Sequence, residues 1–113
     1  MENREIDKLV AEKVMGYRFD STKSTYFKNI GHGWENPVFD FHPSEDIASA
    51  WLIIEELYKR KQIRMFVSNN FHPLWEARCK KDTGDWIGHG FDEETAPLAI
   101  CKAALNVVGV EVN

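Results

Sequence analysis

The stretch FHPSEDIASAWLIIEELYKRK, residues 41–61, passes from turn residues into a long apolar period and decides where the central helix begins. The residue before Pro43 disfavours helical backbone, so the chain is predicted to be extended there. Ser44 is the predicted N-cap, and Glu45 and Asp46 follow in the first turn, where the helix dipole favours acidic groups. A second Phe-His-Pro triplet follows the next strand, and we interpret both triplets as element boundaries rather than halves of a site.

The periodicity of this stretch predicts that one face of the central helix is buried. The apolar stripe consists of Ile47, Ala50, Trp51, Ile54, Leu57 and Tyr58, with Leu52 and Ile53 beside it. Basic residues at the end suit the negative end of the helix dipole, so the helix is predicted to reach about Lys61. We expect Trp51, Ile54 and Leu57 to lie in the core.

Three antiparallel strands and a last helix are predicted downstream of the central helix. Alternating side chains indicate strands at residues 63–68, 74–81 and 86–91, the last loosened by two glycines. We expect Trp75 in the second of them to be buried. The last helix is predicted to begin after an N-cap at Thr95 and to end at Gly109. Apolar residues lie on every side of this helix, and we expect Cys101 and Leu105 to lie in the core.

The segment upstream of the central helix is less regular. Residues 4–15 show a helical apolar stripe that ends at Gly16, a predicted glycine cap. Residues 20–43 combine turn residues with short possible strands, and four aromatics in them predict a packed loop: Tyr26, Phe27, Trp34 and Phe39. The element order predicts a single domain, 1–113, with an α+β fold in which helices flank a mainly antiparallel sheet.

Composition excludes several classes of function. The 113 residues carry a net charge of -4, which argues against gripping nucleic acid through bulk charge. No apolar run approaches the length of a membrane span, and the charged N-terminus is unlike a secretory signal. We therefore expect a cytoplasmic protein. Cys79 and Cys101 lie in apolar segments and are predicted to be free buried thiols, while a disulfide, a metal ligand or a nucleophile remain as alternatives.

The best candidate site is on the predicted strands. If the apolar residues face the core, a cationic and aromatic set shares the opposite face: Arg64, Phe66, Arg78 and Lys80, joined by Trp86. Cations beside aromatic rings suit a flat anionic ligand such as a nucleotide. Alternatively, the first helix covers this face and the arginines pair with acids at its rim.

The histidines and glycines give weaker indications. His32, His42, His72 and His89 lack the spacing of metal ligands, so no metal and no cofactor are predicted. Only His89, on a glycine-flanked strand, has a setting suited to acid–base chemistry, which keeps a small hydrolase as an alternative function. The segment GHGW, residues 31–34, opens onto no helix, and we interpret it as a tight turn rather than a phosphate loop.

Two long segments carry a family resemblance. FHPSEDIASAWLIIEEL (41–57) and ETAPLAICKAAL (94–105) resemble the matching segments of the phage ABA sandwich domain family, and KLVAEKVMGYR (8–18) looks like its start. The resemblance implies an α/β/α sandwich encoded by a phage or prophage of a Gram-positive host. It implies no catalytic residues, and residues 18–40 fit the family least.

These observations favour a phage accessory protein that acts as a stoichiometric binder. Its expected partner is a host, defence-related protein, bound through His32 and Trp34 or through the last helix, or else a nucleotide-like signal molecule. We also expect a homodimer whose contact the last helix helps to bury, with Ala103 in the contact provided that it lies on the outward side of that helix. The alternative is a monomer in which the aromatic residues of the segment 20–40 cover the helix. A double-stranded RNA-binding module has the same helix, three strands, helix order, but Glu93 and Glu94 would repel phosphate at its lysine site.

Overall fold

The computed structural model describes residues 2–69 and 74–112, without the side chains of residues 88–90 and 92. The elements in chain order are α1 (Asn3–Leu9), a π-helical turn that continues it (Val10–Val14), β1 (Arg18–Asp20), β2 (Thr25–Gly31), β3 (Trp34–Val38), α2 (Ile47–Lys61), β4 (Ile63–Ser68), β5 (Trp75–Lys81), β6 (Trp86–Glu93) and α3 (Ala96–Val107). The predicted α+β fold is confirmed, although the strands form two three-stranded antiparallel sheets rather than one.

The main sheet is the meander β4–β5–β6, and its strands are those that the alternation predicted. Met65 pairs with Cys79 and Val67 with Ala77, so alternate side chains of both strands share the face that packs on the helices. The register with β6 shifts at an irregularity between Ala77 and Cys79, so that Ala77 lies opposite Phe91 and Cys79 opposite Ile87. This sheet therefore has one face in the core and one turned away from the helices.

The second sheet, β1–β2–β3, occupies the segment predicted to be irregular. A tight turn at His32 and Gly33, both with positive φ, joins β2 to β3. Tyr26 packs against the core, but Trp34 is 70% exposed and Phe39 is 72% exposed, so the prediction of a packed aromatic loop is wrong for these two. β1 has only three residues, and β2 and β3 show little apolar alternation, so these strands left no clear period in the sequence.

The predicted cap of α2 is wrong by two residues. The backbone N–H groups of Glu45 and Asp46 both donate to the carbonyl of His42, forming a turn before the helix starts. Asp46 is the N-cap, and its carboxylate accepts from the N–H groups of Ala48 and Ser49. Ser44 is instead buried, and its N–H donates to Oδ1 of Asp7 at 2.8 Å, which ties the turn to α1.

The buried arc of α2 is also rotated from the predicted one. Trp51 is 56% exposed, so the expectation that it lies in the core is wrong, and Ile54 is only partly buried. Leu57 is buried as predicted, together with Ser49, Ala50 and Ile53. Small residues on this arc let α2 approach α3 closely, because the contact needs side chains of low volume.

The last helix, α3, is the centre of the core. Thr95 caps it as predicted, accepting from the N–H of Leu98 at 3.4 Å. Gly109, with φ of 85°, follows its last turn, and its N–H donates to Asn106 while that of Val110 donates to Leu105. Every residue from 99 to 105 is buried, among α1, the π-helical turn, α2 and the main sheet. No helix in the described ranges is long and apolar enough to cross a membrane.

This packing leaves α3 little surface for a partner. Ala103 is 1% exposed, so it does not face outward as the predicted dimer contact requires. The cover comes from the helices and the main sheet rather than from the β1–β3 segment. Both cysteines are free and buried, as predicted.

Candidate functional site

On the face of the main sheet that the helices leave open, Ser68 pairs with Glu76 at one end, and five cationic or aromatic side chains lie beyond them. We call them the outer face: Arg64, Phe66, Arg78, Lys80 and Trp86. Phe66 lies opposite Arg78, Arg64 opposite Lys80, and Lys80 opposite Trp86 in the strand register. The structure therefore brings together the set that the alternation predicted. The alternative, in which the first helix covers this face, is wrong because α1 packs against α3.

The indole of Trp86 is the centre of this face. The guanidinium carbon of Arg78 lies 4.5 Å from its ring centroid, and the Lys80 ammonium lies 5.1 Å from it. The Phe66 ring meets the indole edge-on, with centroids 5.5 Å apart. Trp86 nevertheless keeps 48% of its surface exposed and Phe66 keeps 50%, so an aromatic area remains in contact with water.

Two of the three cations on the outer face have no acidic partner among the described side chains. Arg64 forms an ion pair with Asp82 at 3.0 Å, lies over the Tyr58 ring at 4.6 Å and donates to its hydroxyl. Neither Arg78 nor Lys80 forms an ion pair within the described part of the chain. Their charges are therefore available to an anion that approaches Trp86.

A recess adjoins the outer face at the edge of β4. It has a volume of about 340 Å³ and lies between α2 and β4, with a mostly apolar lining: Ile54, Glu55, Tyr58, Ile63, Arg64, Met65 and Phe66. That volume is at the lower end of the range of small-molecule sites. Because Arg64 and Phe66 belong to both surfaces, a ligand on the outer face can extend into the recess. Tyr58 and Asp82, which position Arg64, were not anticipated, since Tyr58 was assigned to the core stripe.

The other predicted site residues lie elsewhere or outside the described part. His89 belongs to β6, but its side chain is not among those described, and His72 lies outside the described residues. His32 and Trp34 stand at the β2–β3 turn of the second sheet. Gly31 ends β2 there, so GHGW is a hairpin turn and not a helix-linked phosphate loop, as predicted.

The described residues offer little for nucleophilic or metal chemistry. Burial raises the pKa of the Cys79 thiol to about 11, and burial, helped by Asp7, also raises the pKa of Cys101. Both thiols are thus poor nucleophiles at neutral pH. No three His, Cys, Asp or Glu side chains among those described are grouped to hold a metal ion.

The start of α3 is acidic, which disfavours phosphate there. A recess of about 490 Å³ at this end is lined by Glu45, Glu93 and Glu94 together with Asn3, Ser44, Thr95 and Leu98. Glu93 forms an ion pair with Lys102, the one basic residue of α3. A nucleic-acid backbone would therefore meet carboxylates at the position where the RNA-binding module presents lysines.

Comparison with known proteins agrees with this architecture. The family model of the phage ABA sandwich domain matches residues 8–105. The crystal structure of a phage protein from Bacillus cereus ATCC 14579 is similar with a TM-score of 0.67 and 28% identity, over 100% of this chain and 93% of that chain. None of the curated protein sequences matches. Because the family model spans most of its length, the chain belongs to the phage ABA sandwich domain family.

Proposed function

We propose that this phage protein is a stoichiometric binder, acting in the host cytoplasm, of a small anion with a planar ring, such as a nucleotide signal molecule. The outer face of the main sheet is the proposed site. The proposal is supported by two cations, Arg78 and Lys80, that lie against the half-exposed Trp86 indole and form no ion pair with any side chain that the structure describes.

Each part of such a ligand has a matching group. A planar ring stacks on the exposed aromatic surface of Trp86 and Phe66, an interaction worth about 1–3 kcal/mol per nucleobase. Phosphate oxygens accept from Arg78 and Lys80, which are flexible enough to move off the indole. The net charge of -4 favours a small anion over a polymer, since the attraction is confined to this patch.

Binding without turnover is the form of activity that the described residues support. Both thiols have raised pKa values, and no metal-ligand group is formed among the described residues. A hydrolase would need a nucleophile or an activated water beside the ligand. The alternative acid–base role of His89 is tested by including His89→Ala in any assay of ligand breakdown.

Calorimetry with ATP as the probe tests the proposed site. We expect saturable binding at one ligand per chain, weakened about tenfold or more by Trp86→Ala and by Arg78→Gln. Trp34→Ala, which removes an indole from the other sheet, is the matched control and should bind normally.

Adenosine and inorganic tripolyphosphate separate the two parts of the ligand. Each should bind more weakly than ATP, because the first lacks the charge and the second lacks the ring. The site assignment is wrong if Trp86→Ala and Trp34→Ala bind ATP alike, or if ATP does not bind at all.

A host protein is a second candidate partner, favoured by the exposure of the β2–β3 hairpin. Trp34 is 70% exposed and Ile30 is 52% exposed at its end, and aromatic side chains in such positions commonly anchor protein interfaces. A complex with a purified host protein that Trp34→Ala abolishes and Trp86→Ala preserves would establish this role instead.

A further inference from the structure

The central helix α2 presents a second apolar stripe that the described part of the chain leaves open. It consists of Ile47, Trp51, Ile54 and Tyr58, at successive spacings of four, three and four residues. Ile47 is 52% exposed, Trp51 56% and Tyr58 43%, while Ile54 is partly buried. Alternating spacings of three and four residues are typical of the apolar seam along which two helices pack side by side. The residues in the core, such as Ile53 and Leu57, lie on a different arc of the helix.

The stripe has a symmetry that fits a second copy of the same helix. Its spacing reads identically from either end, with its midpoint between residues 52 and 53. When two copies run antiparallel across a two-fold axis, Ile47 faces the partner's Tyr58 and Trp51 faces the partner's Ile54. An isologous contact requires such a self-complementary surface, whereas a partner of unrelated sequence does not.

The charges at the two ends of α2 are complementary in the same arrangement. Glu45 and Asp46 stand at its start, and Lys59, Arg60 and Lys61 form its end. Antiparallel packing sets each acidic start against a basic end, and it also opposes the two helix dipoles favourably. Lys61 lies seven residues after Ile54 and therefore on the side of the stripe, and it has no ion-pair partner in the described ranges of its own chain, whereas Arg60 is paired with Glu56.

Recesses at the two ends of the stripe provide room for side chains of a facing helix. One has a volume of about 530 Å³ and is lined by Ile47 and Trp51 with Val67, Trp75, Glu94, Thr95, Ala96, Pro97 and Ile100. The other is the 340 Å³ recess that Ile54 and Tyr58 line. Side chains of a partner helix can enter these recesses as knobs enter holes, so the contact surface is wider than the stripe itself.

We propose that the protein is a homodimer in which α2 packs antiparallel against α2 of a second copy along this stripe. The dimer surface is thus the exposed arc of the central helix and not the last helix, which its own chain covers. The dimer does not depend on ligand binding, because it is inferred from the apolar stripe of α2, the charges at the two ends of the helix and the adjoining recesses. It shares the 340 Å³ recess with the proposed ligand site, so a partner helix there would confine a ligand to the outer face itself.

Sedimentation at micromolar concentration tests the dimer. The wild type should have twice the chain mass of 13.1 kDa. Trp51→Glu should give the monomer mass with an unchanged circular dichroism spectrum, because the substituted position is half-exposed. Leu52→Glu is the matched control on the same helix, 44% exposed but off the stripe, and should remain dimeric. A wild-type monomer, or a Trp51→Glu variant that stays dimeric, overturns the proposal.

Disulfide trapping tests the antiparallel direction. Positions 47 and 58 are about 16 Å apart along one helix, too far for a bridge within the chain. Oxidation of the double variant Ile47→Cys, Tyr58→Cys should therefore give a covalent dimer, while Ile47→Cys alone should not. The native cysteines are buried and do not interfere. A covalent dimer from the single variant indicates parallel helices, and no covalent product from the double variant indicates another interface; either result contradicts the proposal.

Discussion

The two faces of the main sheet differ sharply in how much of their side chains water can reach. Ala77 and Cys79 on the inner face of β5 are 0% and 1% exposed, whereas Phe66 and Trp86 on the outer face are each about half exposed. Side chains alternate across a strand, so one sequence pattern specifies both the core and the candidate site. The inner face therefore supplies the packing that holds the sheet, and we expect substitutions on the outer face to cost less stability than substitutions on the inner face.

The largest difference in stability between the two faces is expected when an acidic residue is introduced on each. Ala77→Asp would bury an unpaired carboxylate, and we expect it to cost several kcal/mol and abolish cooperative unfolding. Arg78→Asp, one residue later, faces water and should leave a folded protein. Urea titrations followed by circular dichroism measure both; a stable Ala77→Asp variant would show that the inner face is not sealed.

Truncating an apolar side chain should also lower the free energy of unfolding more on the inner face than on the outer face, but by a smaller margin. Ile63 is 7% exposed, and Ile63→Ala should lower the free energy of unfolding by about 2–4 kcal/mol through the cavity that it leaves. Phe66→Ala should cost no more than about 1.5 kcal/mol, mainly the edge contact with Trp86. Equal losses in denaturant titrations would mean that Phe66 is part of the core.

Thiol labelling compares the faces without disturbing stability. Cys79 should react with a neutral-pH thiol reagent only as fast as the protein unfolds, because it is buried and its pKa is raised to about 11. A cysteine introduced on the outer face by Phe66→Cys should react at once. Mass spectrometry of the labelled peptides identifies each site, and rapid labelling of Cys79 in the folded wild type would contradict the packing described.

The sequence predicted strands better than helices for a physical reason. Alternation assigns each strand residue to one of two faces, so the prediction that Arg64, Arg78 and Trp86 share one face with Phe66 and Lys80 is confirmed. A helix offers a continuous arc, and the apolar arc of α2 is wider than the part its chain buries. Nothing local distinguishes Trp51 from Leu57, since the position of α3 decides which is covered.

Capping and the second sheet show the same dependence on context. Thr95 was predicted correctly because only one good cap precedes α3. Ser44 and Asp46 are both good caps, and the turn closed by the carbonyl of His42 decides between them. Short strands were predicted as possible in residues 20–43, but their pairing into a second sheet was not, because they show little apolar alternation. The exposure of Trp34 followed from no pattern, since aromatic residues usually indicate packing.

The four tryptophans allow one measurement to test the proposed site directly, because each lies in a different region: Trp34 in β3, Trp51 on α2, Trp75 in β5 and Trp86 in β6. A ¹⁵N–¹H spectrum resolves one indole signal for each, assigned by single substitutions. Titration with ATP should shift the Trp86 signal saturably and leave those of Trp34, Trp51 and Trp75 in place. A saturable shift of another indole with Trp86 unmoved, or no shift at any of them, would contradict the assignment of the outer face as the ligand site.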